Sequence, residues 1–343
     1  MEEVIVSMKA RRLNVGITYD VKEDYSFDAA DWRYTDFSTL MEIDYIKQLF
    51  EKNGHTVSLI GNYEKLYRSI VENDLPPIDI VFNTAEGVGS RNREGWIPSL
   101  LEVSEIPYTG TDAHGLSISL SKSLTKIIAQ HIGVRTPAFF EINTLSDARN
   151  ASAALPGPWV LKPNYEGSSS GVVFVSNSKA LSLESEALLR EYNQTILCET
   201  YISGREANVS VLFDGMKSKV IGTVEVVRKS GEPIEIFNAQ DKFTSTCTKI
   251  PAEFQKATID EMEHSTIALH RYLGCYDYNR ADFRIDSQGV PYFLELNPLP
   301  SLDEESGFAR CCLYSNHDLG SVLDEILFNA LSRTRHIKLL EKP

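Results

Sequence analysis

The sequence lacks a run of eighteen apolar residues, a Cys-x-x-Cys pair and an excess of basic residues. Without the apolar run, we expect no transmembrane helix. Five cysteines without a paired spacing indicate neither a zinc site nor a disulfide framework, and the seven histidines show no metal-binding spacing. The formal net charge of -14 argues against nucleic acid and anionic membranes as partners. We therefore expect a soluble, cytoplasmic protein that binds neither of them.

The first third of the chain alternates predicted strands with a predicted helix. The strands cover residues 13–18, 56–60 and 78–83, and the helix covers residues 39–52. This order favours a parallel α/β sheet, in which ligands bind beside the carboxyl ends of the strands. The segment NTAEG, residues 83–87, directly follows the third strand, so Glu86 is a candidate for binding a substrate. A turn with a helix cap is the alternative.

A glycine- and serine-rich loop joins two predicted strands in the middle of the chain. The strand before it, residues 159–162, ends at Lys162, and the strand after it covers residues 172–175. The loop is not a Walker A motif, because Gly-Lys-Ser/Thr and a following helix are missing. Its N–H groups and hydroxyls could still close over a triphosphate, with Lys162 as a point charge. The residues concerned are Gly167, Ser168, Ser169, Ser170 and Gly171. A mobile hairpin tip is the alternative.

Residues 279–297 alternate in polarity as a β-hairpin does. In the first half, Ala281, Phe283 and Ile285 alternate with Arg280, Asp282 and Arg284. In the second half, one side is expected to carry Tyr292, Leu294 and Leu296, and the other Phe293, Glu295 and Asn297. A two-residue turn at residues 288–289 would place Asp282 opposite Glu295. In the same register, Arg280 lies opposite Asn297.

The predicted hairpin brings two carboxylates and a carboxamide together. Such a group repels itself unless a cation binds, and hard oxygen ligands at this spacing suit Mg2+ shared with phosphate oxygens. The adjacent Arg280 could stabilise charge on an attacked carboxylate or a transferred phosphoryl group. The alternative is an ordinary solvated strand face with cross-strand ion pairs.

Taken in order, five motifs from about residue 83 to residue 306 resemble the ATP-grasp superfamily, most closely its D-alanine:D-alanine ligase branch. The resemblance implies two phosphate-binding lysines, Lys122 and Lys162. It also implies an adenine site at the strand CETYI, in which Glu199 meets the adenine amino group or a nearby loop. The backbone of Thr200 and Ile202, which flank Tyr201, would pair with the adenine edge. Glu206 would accept the ribose hydroxyls.

The reaction centre that the resemblance implies coincides with the hairpin. Asp282, Glu295 and Asn297 would bind two Mg2+ ions, for which Mn2+ is expected to substitute. Arg280 would stabilise the tetrahedral and phosphoryl intermediates, and Lys242 would reach the triphosphate. The expected catalytic residues are therefore Arg280, Lys242 and Ser170. In this family a substrate carboxylate attacks the γ-phosphate of ATP, and an amine then attacks the acyl phosphate.

Both substrate sites of the resembled ligases are altered in this sequence. The resembled ligases have a Gly-Gly-x-Ser segment and a Glu-rich stretch that binds the first substrate's ammonium group. This sequence has residues 16–20, GITYD, and a long acidic, aromatic loop through Asp36 in their place. The His-Gly motif is replaced by NTAEG, and the Pro-Gly pair after the metal-binding Asn by residues 300–306, PSLDEES. The candidate substrate contacts are Glu86, Arg280, Ser301 and Ser306.

These departures predict a changed specificity. Because Asp303, Glu304 and Glu305 should repel a carboxylate, we expect that D-alanine is not the preferred substrate pair and that one partner is bulkier or more cationic. Five aromatic residues suggest an aromatic-lined pocket for the other partner, with simple packing as the alternative. They are Tyr19, Tyr25, Phe27, Trp32 and Tyr34.

The sequence as a whole predicts an α/β protein, α+β in its C-terminal lobes, with an ATP-grasp fold and an N-terminal parallel-sheet lobe. The expected lobes are residues 1–115, 116–200 and 201–343. Further strands are predicted over residues 138–142, 196–202, 205–213 and 219–227, and further helices over residues 114–132, 257–273 and 319–331.

The expected function is an ATP-dependent, ADP-forming carboxylate:amine ligase. Its partners are a small amino acid and a carboxylate or amine, and a homodimer is one of the expected assemblies because dimers are common in the family. A D-alanine:D-alanine ligase of cell-wall synthesis and a non-catalytic ATP-binding protein are the alternatives. ADP release that depends on an amino acid separates enzyme from binder.

Overall fold

The structure is a computed structural model. It describes residues 12–28, 31–213, 217–234 and 246–340, and for residues 335–340 the backbone alone. The described chain forms three β-sheets flanked by helices. None of the described helices is long and apolar enough to cross a membrane.

The first sheet is parallel, as predicted, with strand order β2-β1-β3. Its strands are β1 (Asn14–Thr18), β2 (Thr56–Gly61) and β3 (Ile80–Asn83), and its helices are α1 (Leu40–Lys52), α2 (Tyr63–Glu72) and α3 (Trp96–Val103). Helix α1 begins at Thr39, whose hydroxyl accepts the N–H of Glu42 at 3.1 Å. Its buried residues recur at helical spacing, so one face packs on the sheet; they are Ile43, Ile46 and Phe50.

Two antiparallel sheets follow. The middle sheet, in order β4-β7-β5-β6, contains β4 (Phe139–Ile142), β5 (Trp159–Pro163), β6 (Val173–Val175) and β7 (Ile196–Thr200). The third, in order β10-β9-β8-β11-β12, contains β8 (Arg205–Phe213), β9 (Ser218–Arg228), β10 (Cys247–Pro251), β11 (Tyr278–Ile285) and β12 (Pro291–Asn297). The remaining helices are α4 (Ala113–Leu120), α5 (Lys122–His131), α6 (Leu145–Ala154), α7 (Ser178–Tyr192), α8 (Lys256–Tyr272), α9 (Gly307–Tyr314) and α10 (Leu319–Leu340).

Two hydrophobic cores surround the hairpin β11–β12. One core joins Ile17 and Phe82 of the first sheet with Tyr278 of β11 and Leu327 of the C-terminal helix. A second core sets Ala129 of α5 against the apolar face of β11 and β12. Because both neighbours pack on it, the hairpin has a fixed position relative to the N-terminal sheet and to α5.

The predicted single helix over residues 114–132 is wrong, because the chain breaks at Ser121 into α4 and α5. Ser121 has ψ near 100°, an extended conformation. The break is stabilised by Asn164, whose backbone carbonyl accepts the N–H of Lys122 at 3.1 Å and whose side-chain oxygen accepts the N–H of Ser123 at 2.8 Å. Asn164 also donates to the Ser121 hydroxyl at 3.2 Å. Lys122 is therefore the first residue of a helix held by the loop that follows β5.

The hairpin has the predicted register at its reactive end. Asp282 lies opposite Glu295, and Arg280 lies opposite Asn297. The two-residue turn is wrong, however, because the hydrogen bonds between Asp286 and Val290 enclose a three-residue loop. The register shifts by one residue beyond Asp282, so the extra loop residue and the bulge offset each other.

The bulge also overturns the predicted alternation of β12. Phe293 was expected on the side of Glu295, but it is fully buried and lies opposite Phe283, with ring centroids 5.9 Å apart. Leu294 is the extra residue at the bulge, so Phe293 and Leu296 both face the core although they are three residues apart. A bulge re-aims side chains in this way next to many active sites.

Candidate functional site

Arg280 and Asp282 form a bidentate ion pair on the face of β11 that points away from the core residues Ala281 and Phe283. The Nε of Arg280 lies 2.7 Å from one carboxylate oxygen, and NH2 lies 2.8 Å from the other. The side-chain amide of Asn208, on β8, donates to the same carboxylate at 2.7 Å. Burial raises the pKa of Asp282 above its usual value, although Arg280 opposes the shift. Asn297 lies across from Arg280 in the register.

Glu295 lies in a strongly positive part of the site. Its carboxylate is 3.2 Å from the ammonium of Lys122. Burial alone would raise the pKa of Glu295, but Lys122, Lys162 and Arg280 together lower it to about 2. The structure therefore brings together the reaction-centre residues on the hairpin and both predicted phosphate-binding lysines.

Glu199 lies between two lysines and is almost fully buried. One of its oxygens is 2.8 Å from Lys162, and the other is 2.5 Å from Lys126. A contact of Glu199 with adenine stays a prediction. Lys126 has no exposed surface and was not among the predicted site residues, although it lies one helical turn after Lys122.

The loop after β5 is held from several sides; we call residues 164–171 the phosphate loop. Arg93 donates to the carbonyl of Tyr165 at 2.6 Å, and Asp36 accepts the N–H of Gly167 at 3.1 Å. Arg93 and Asp36 also pair with each other at 2.8 Å. The ammonium of Lys122 donates to the carbonyl of Glu166. The N-terminal region and α5 thus position the predicted loop.

The serines of the phosphate loop take two different positions. Ser168 and Ser169 both have left-handed backbone conformations, with φ of 49° and 60°. Ser170 is buried, and its hydroxyl lies 3.0 Å from the hydroxyl of Tyr192. The ring of Trp32 packs on Tyr192 with centroids 4.6 Å apart. Gly171 ends the loop with φ of 67°, a conformation that favours glycine.

The predicted adenine strand continues past β7 without regular structure. The N–H of Thr200 donates to the carbonyl of Ala138 at 2.9 Å, and the N–H of Tyr201 donates to Pro158 at 2.9 Å. The carbonyl of Ile202 accepts from the Nε of Arg284 at 3.2 Å. A contact of adenine with the backbone of Thr200 and Ile202 stays a prediction.

Glu206 is the second residue of β8, the strand that carries Asn208, and it lies 3.6 Å from Arg284. Burial raises the pKa of Glu206 to about 7, against the opposing effect of Arg284. The carboxylates of Asp282 and Glu295 raise it further. The carboxylates of Asp282 and Glu295 are therefore close enough to Glu206 to disfavour its ionised form.

Glu86 lies in an acidic region, at the carboxyl end of β3. Burial raises the pKa of Glu86 well above its usual range, and Glu94 and Asp36 raise it further. Burial likewise raises the pKa of Glu94 to about 7, although Arg93 opposes it. Asp20 accepts the N–H of Gly87 at 2.7 Å and the hydroxyl of Tyr25.

The two candidate serines after the hairpin have other contacts. Ser301 donates to Glu42 at 2.8 Å and to Asp303 at 2.6 Å. Ser306 is buried and caps α9 by accepting the N–H of Ala309 at 3.1 Å. Their proposed contact with substrate stays a prediction. Lys242 lies outside the described residues.

Three residues of the site were missed by the sequence analysis: Asn164, Asn208 and Lys126. Asn208 lies opposite Asp282 in the pairing of β8 with β11, at a position two residues after Glu206. The alternation of a strand places residues two apart on one face, so the predicted role of Glu206 could have pointed to Asn208. For Asn164 the signal is weaker, because its contacts join segments 41 residues or more apart.

Comparisons with known proteins agree with this geometry. Residues 128–328 match the family model described as D-ala D-ala ligase C-terminus. The D-alanine–D-alanine ligase of Bordetella avium is 30% identical over 220 residues, which cover 64% of this chain and 68% of that protein. The vancomycin/teicoplanin A-type resistance protein VanA of Enterococcus faecium is 28% identical over 266 residues, or 76% of this chain and 75% of that protein.

The fold has solved relatives as well. The crystal structure of the D-alanine–D-alanine ligase from Bacillus anthracis complexed with ATP matches with a TM-score of 0.72. The match covers 95% of this chain and 99% of that chain at 19% identity, and it therefore bears on the fold alone.

Proposed function

The chain belongs to the D-alanine–D-alanine ligase family of the ATP-grasp superfamily, and we propose that it joins an amino acid to a carboxylate or amine partner through an acyl phosphate. The enzyme is an ADP-forming ligase that makes C–N bonds, and small molecules are its substrates. The fold is the mixed α/β ATP-grasp fold with a parallel N-terminal sheet. We further propose that the three lobes are residues 1–115, 116–200 and 201–343, each containing one sheet.

The observation that carries this proposal is the arrangement around the hairpin. Asp282 faces Glu295 in register, while Arg280 holds Asp282 and Lys122 holds Glu295. Oxygen donors beside several cations suit a phosphoryl group in transfer, because charge spread over its oxygens is stabilised by positioned positive groups. An ordinary solvated strand face would not gather three cations around one carboxylate.

Asp282, Glu295 and Asn297 supply only oxygen donors, the ligand type that Mg2+ prefers. Among the described residues, no group of three His, Cys, Asp or Glu side chains is placed to hold a metal ion. We propose these three residues as ligands that would hold Mg2+ together with phosphate oxygens. The family uses ATP and Mg2+, and bound Mg2+ would neutralise charge on the phosphates. Two ions, and Mn2+ as a substitute, remain part of the proposal.

The side chains around the site would bind the phosphates, position the reacting groups and exclude water. Lys162 and Lys122 lie where they can donate to phosphate oxygens, because each faces Glu295 from a different element. Arg280, fixed by two hydrogen bonds to Asp282, presents its charge beside the reacting carboxylate. The phosphate loop, tied to Arg93 and Asp36, would exclude water that otherwise hydrolyses the acyl phosphate.

We propose that the first substrate binds by its amino group near Glu86. Burial raises the pKa of Glu86, and the nearby Glu94, Asp36 and Asp20 raise it further; burial and Asp36 likewise raise the pKa of Glu94, while Arg93 opposes both shifts. A bound ammonium group would relieve the repulsion between these carboxylates. An acidic region of this kind selects a cationic group over a carboxylate.

For the second substrate, the structure offers weaker support. Asp303 and Glu304 lie close enough to Tyr45 to raise the pKa of its hydroxyl, after the larger effect of burial. Glu305, however, pairs with Arg310, so one of the three acidic groups is neutralised. Because D-alanine also carries an ammonium group, a preference for another partner rests on the replaced segments at residues 16–36 and 300–306.

The aromatic residues favour packing over a pocket. Tyr25 packs on Phe37 with ring centroids 4.7 Å apart, and Phe27 packs on Tyr34 at 5.5 Å. Trp32 packs on Tyr192 of the middle sheet's helix. These rings contact one another and the neighbouring region, so they are better explained as the core of the loop than as a substrate surface.

A D-alanine–D-alanine ligase is the second candidate, because the relative from Bordetella avium carries that name. A panel of amino acids, amines and small carboxylic acids, assayed for phosphate release, separates the two candidates. We expect a partner other than D-alanine to give the highest kcat/KM. D-alanine as the best substrate in both positions would establish the second candidate.

The same assay tests the reaction class. With substrate and ATP we expect ADP and phosphate, with 18O from the substrate carboxylate appearing in phosphate. AMP and pyrophosphate would point to adenylation and contradict the acyl-phosphate route. ATP binding without turnover on any member of the panel would favour a non-catalytic ATP-binding protein.

A further inference from the structure

Lys126 is a fully buried lysine whose ammonium is enclosed by polar partners inside the protein. It lies 2.5 Å from one oxygen of Glu199, 2.8 Å from the hydroxyl of Thr136 and 3.3 Å from the carbonyl of Phe293. Thr136 and Phe293 accept hydrogen bonds from this ammonium, Glu199 forms an ion pair with it, and the side chain has no exposed surface through which a ligand could reach it. Lys126 therefore cannot bind the nucleotide itself, and any role in the reaction must act through a neighbour.

The neighbour is Glu199, one buried carboxylate shared by two lysines. Its second oxygen lies 2.8 Å from Lys162, which ends β5 at the start of the phosphate loop. Only 3% of Glu199 is exposed, whereas Lys162 is exposed to 7% and also lowers the pKa of Glu295. Lys162 thus lies between the buried carboxylate and the cleft.

We propose that Lys126 is a positioning residue for nucleotide binding, because it keeps the Glu199 carboxylate paired when Lys162 turns to a phosphate. A buried charge without a partner is costly. With Lys126 in place, Glu199 retains one cation after Lys162 leaves. Without Lys126, every contact between Lys162 and a phosphate would leave Glu199 unpaired. This inference rests on the ATP site proposed above.

The test is the equilibrium dissociation constant of ATP, measured with Mg2+ by titration calorimetry on the full chain. Lys126→Met keeps the length of the side chain and removes the charge. We expect it to raise the Kd for ATP at least about 30-fold, since the loss of one partner of a buried charge pair has effects of that size. In a Glu199→Gln background the same substitution should change the Kd by less than about threefold, because no carboxylate charge remains to be paired.

Two further variants separate this role from a structural one. Lys126→Arg keeps the charge and should keep the Kd for ATP near that of the wild type, which also covers the case that Lys126→Met does not fold. Thr136→Val removes one contact of the same ammonium without changing any charge, and it should lower the melting temperature while leaving the Kd for ATP unchanged.

The outcomes that overturn the inference are distinct. A folded Lys126→Met chain that binds ATP like the wild type overturns it, and so does an equal loss of affinity in the Glu199→Gln background. Loss of ATP binding in Lys126→Arg matching that in Lys126→Met also overturns it. A wild-type chain that does not bind ATP overturns the proposed function, and this inference with it.

Discussion

Replacing Glu295 by Gln tests the reaction centre, because the substitution changes charge while keeping shape. The pKa of Glu295 falls from 4.5 to about 2 through the nearby Lys122, Lys162 and Arg280. A shift of this size corresponds to about 3 kcal/mol of preferential interaction with the ionised carboxylate. The side chain is 25% exposed, so solvent screening reduces the value somewhat.

We expect Glu295→Gln to weaken MgATP and to lower kcat/KM roughly 10- to 100-fold, because it removes a charged oxygen ligand from the proposed Mg2+ site. The assay is titration of MgATP followed by ADP release with the best substrate. The matched control is Glu325→Gln, which removes a carboxylate 2.8 Å from Lys219 on a partly exposed surface. That control should leave both values unchanged.

The stability of the variant gives an independent check. The lowered pKa means that the Glu295 contribution is fully present above pH 4.5 and is lost as pH falls toward 2. The difference in free energy of unfolding between wild type and Glu295→Gln should therefore shrink as pH falls below 4.5. A variant with undiminished turnover and wild-type affinity for MgATP would refute the assignment of Glu295.

Three further predictions concern the frame of the site. Gly204→Ala should cost about 3 kcal/mol or more of unfolding free energy, because the new Cβ would lie 1.9 Å from the carbonyl oxygen of Ile285; Gly133→Ala, with no atom within 4 Å at a φ of 80°, should cost only about 1 kcal/mol in the same thermal melts. Burial lowers the pKa of His270 to about 4, so on acidification the unfolded chain binds a proton before the folded chain does. The free energy of unfolding should therefore fall by up to about 3 kcal/mol as pH drops from 6.5 to 4. Between pH 7 and pH 5, His270→Phe should lose less of this free energy than the wild type in denaturation experiments, and an equal loss would contradict the prediction. Asn164→Ala removes the side-chain contacts at the start of α5. The substitution should raise the KM for ATP several-fold and lower the melting temperature by a few degrees. An unchanged KM would show that the helix break does not position Lys122.

The hairpin shows why the sequence predicted the reactive residues and missed their surroundings. Period-two alternation is a local signal, and it placed Asp282 opposite Glu295 although the assumed turn was one residue too short. The bulge at Leu294 corrected the register at the reactive end. The same bulge reversed the face of Phe293, which alternation alone cannot predict because it depends on how the turn closes.

Features that depend on distant contacts could not be predicted. The break between α4 and α5 is stabilised by Asn164, about forty residues away, whereas the apolar spacing of residues 114–132 is continuous. Helices α2, α6, α7 and α9 and strand β10 also lie outside the predicted elements. For α9 the capping Ser306 was assigned to substrate, because a serine after the hairpin fits either role in sequence.

The charge of the site explains how a chain with a net charge of -14 can bind a triphosphate. Among the described residues, five positive side chains lie near the proposed nucleotide site, each beside a carboxylate: Lys122 with Glu295, Lys126 and Lys162 with Glu199, Arg280 with Asp282, and Arg284 with Glu206. Four carboxylates thus nearly balance five cations, so the cleft is not a permanently basic surface that would attract any polyanion. A phosphate can bind one of these cations only by displacing the carboxylate that is paired with it. Such an exchange favours a ligand whose phosphates can replace several carboxylates at the same time. The ion pairs that do not exchange, above all Lys126 with Glu199, are then as important for nucleotide binding as the pairs that do.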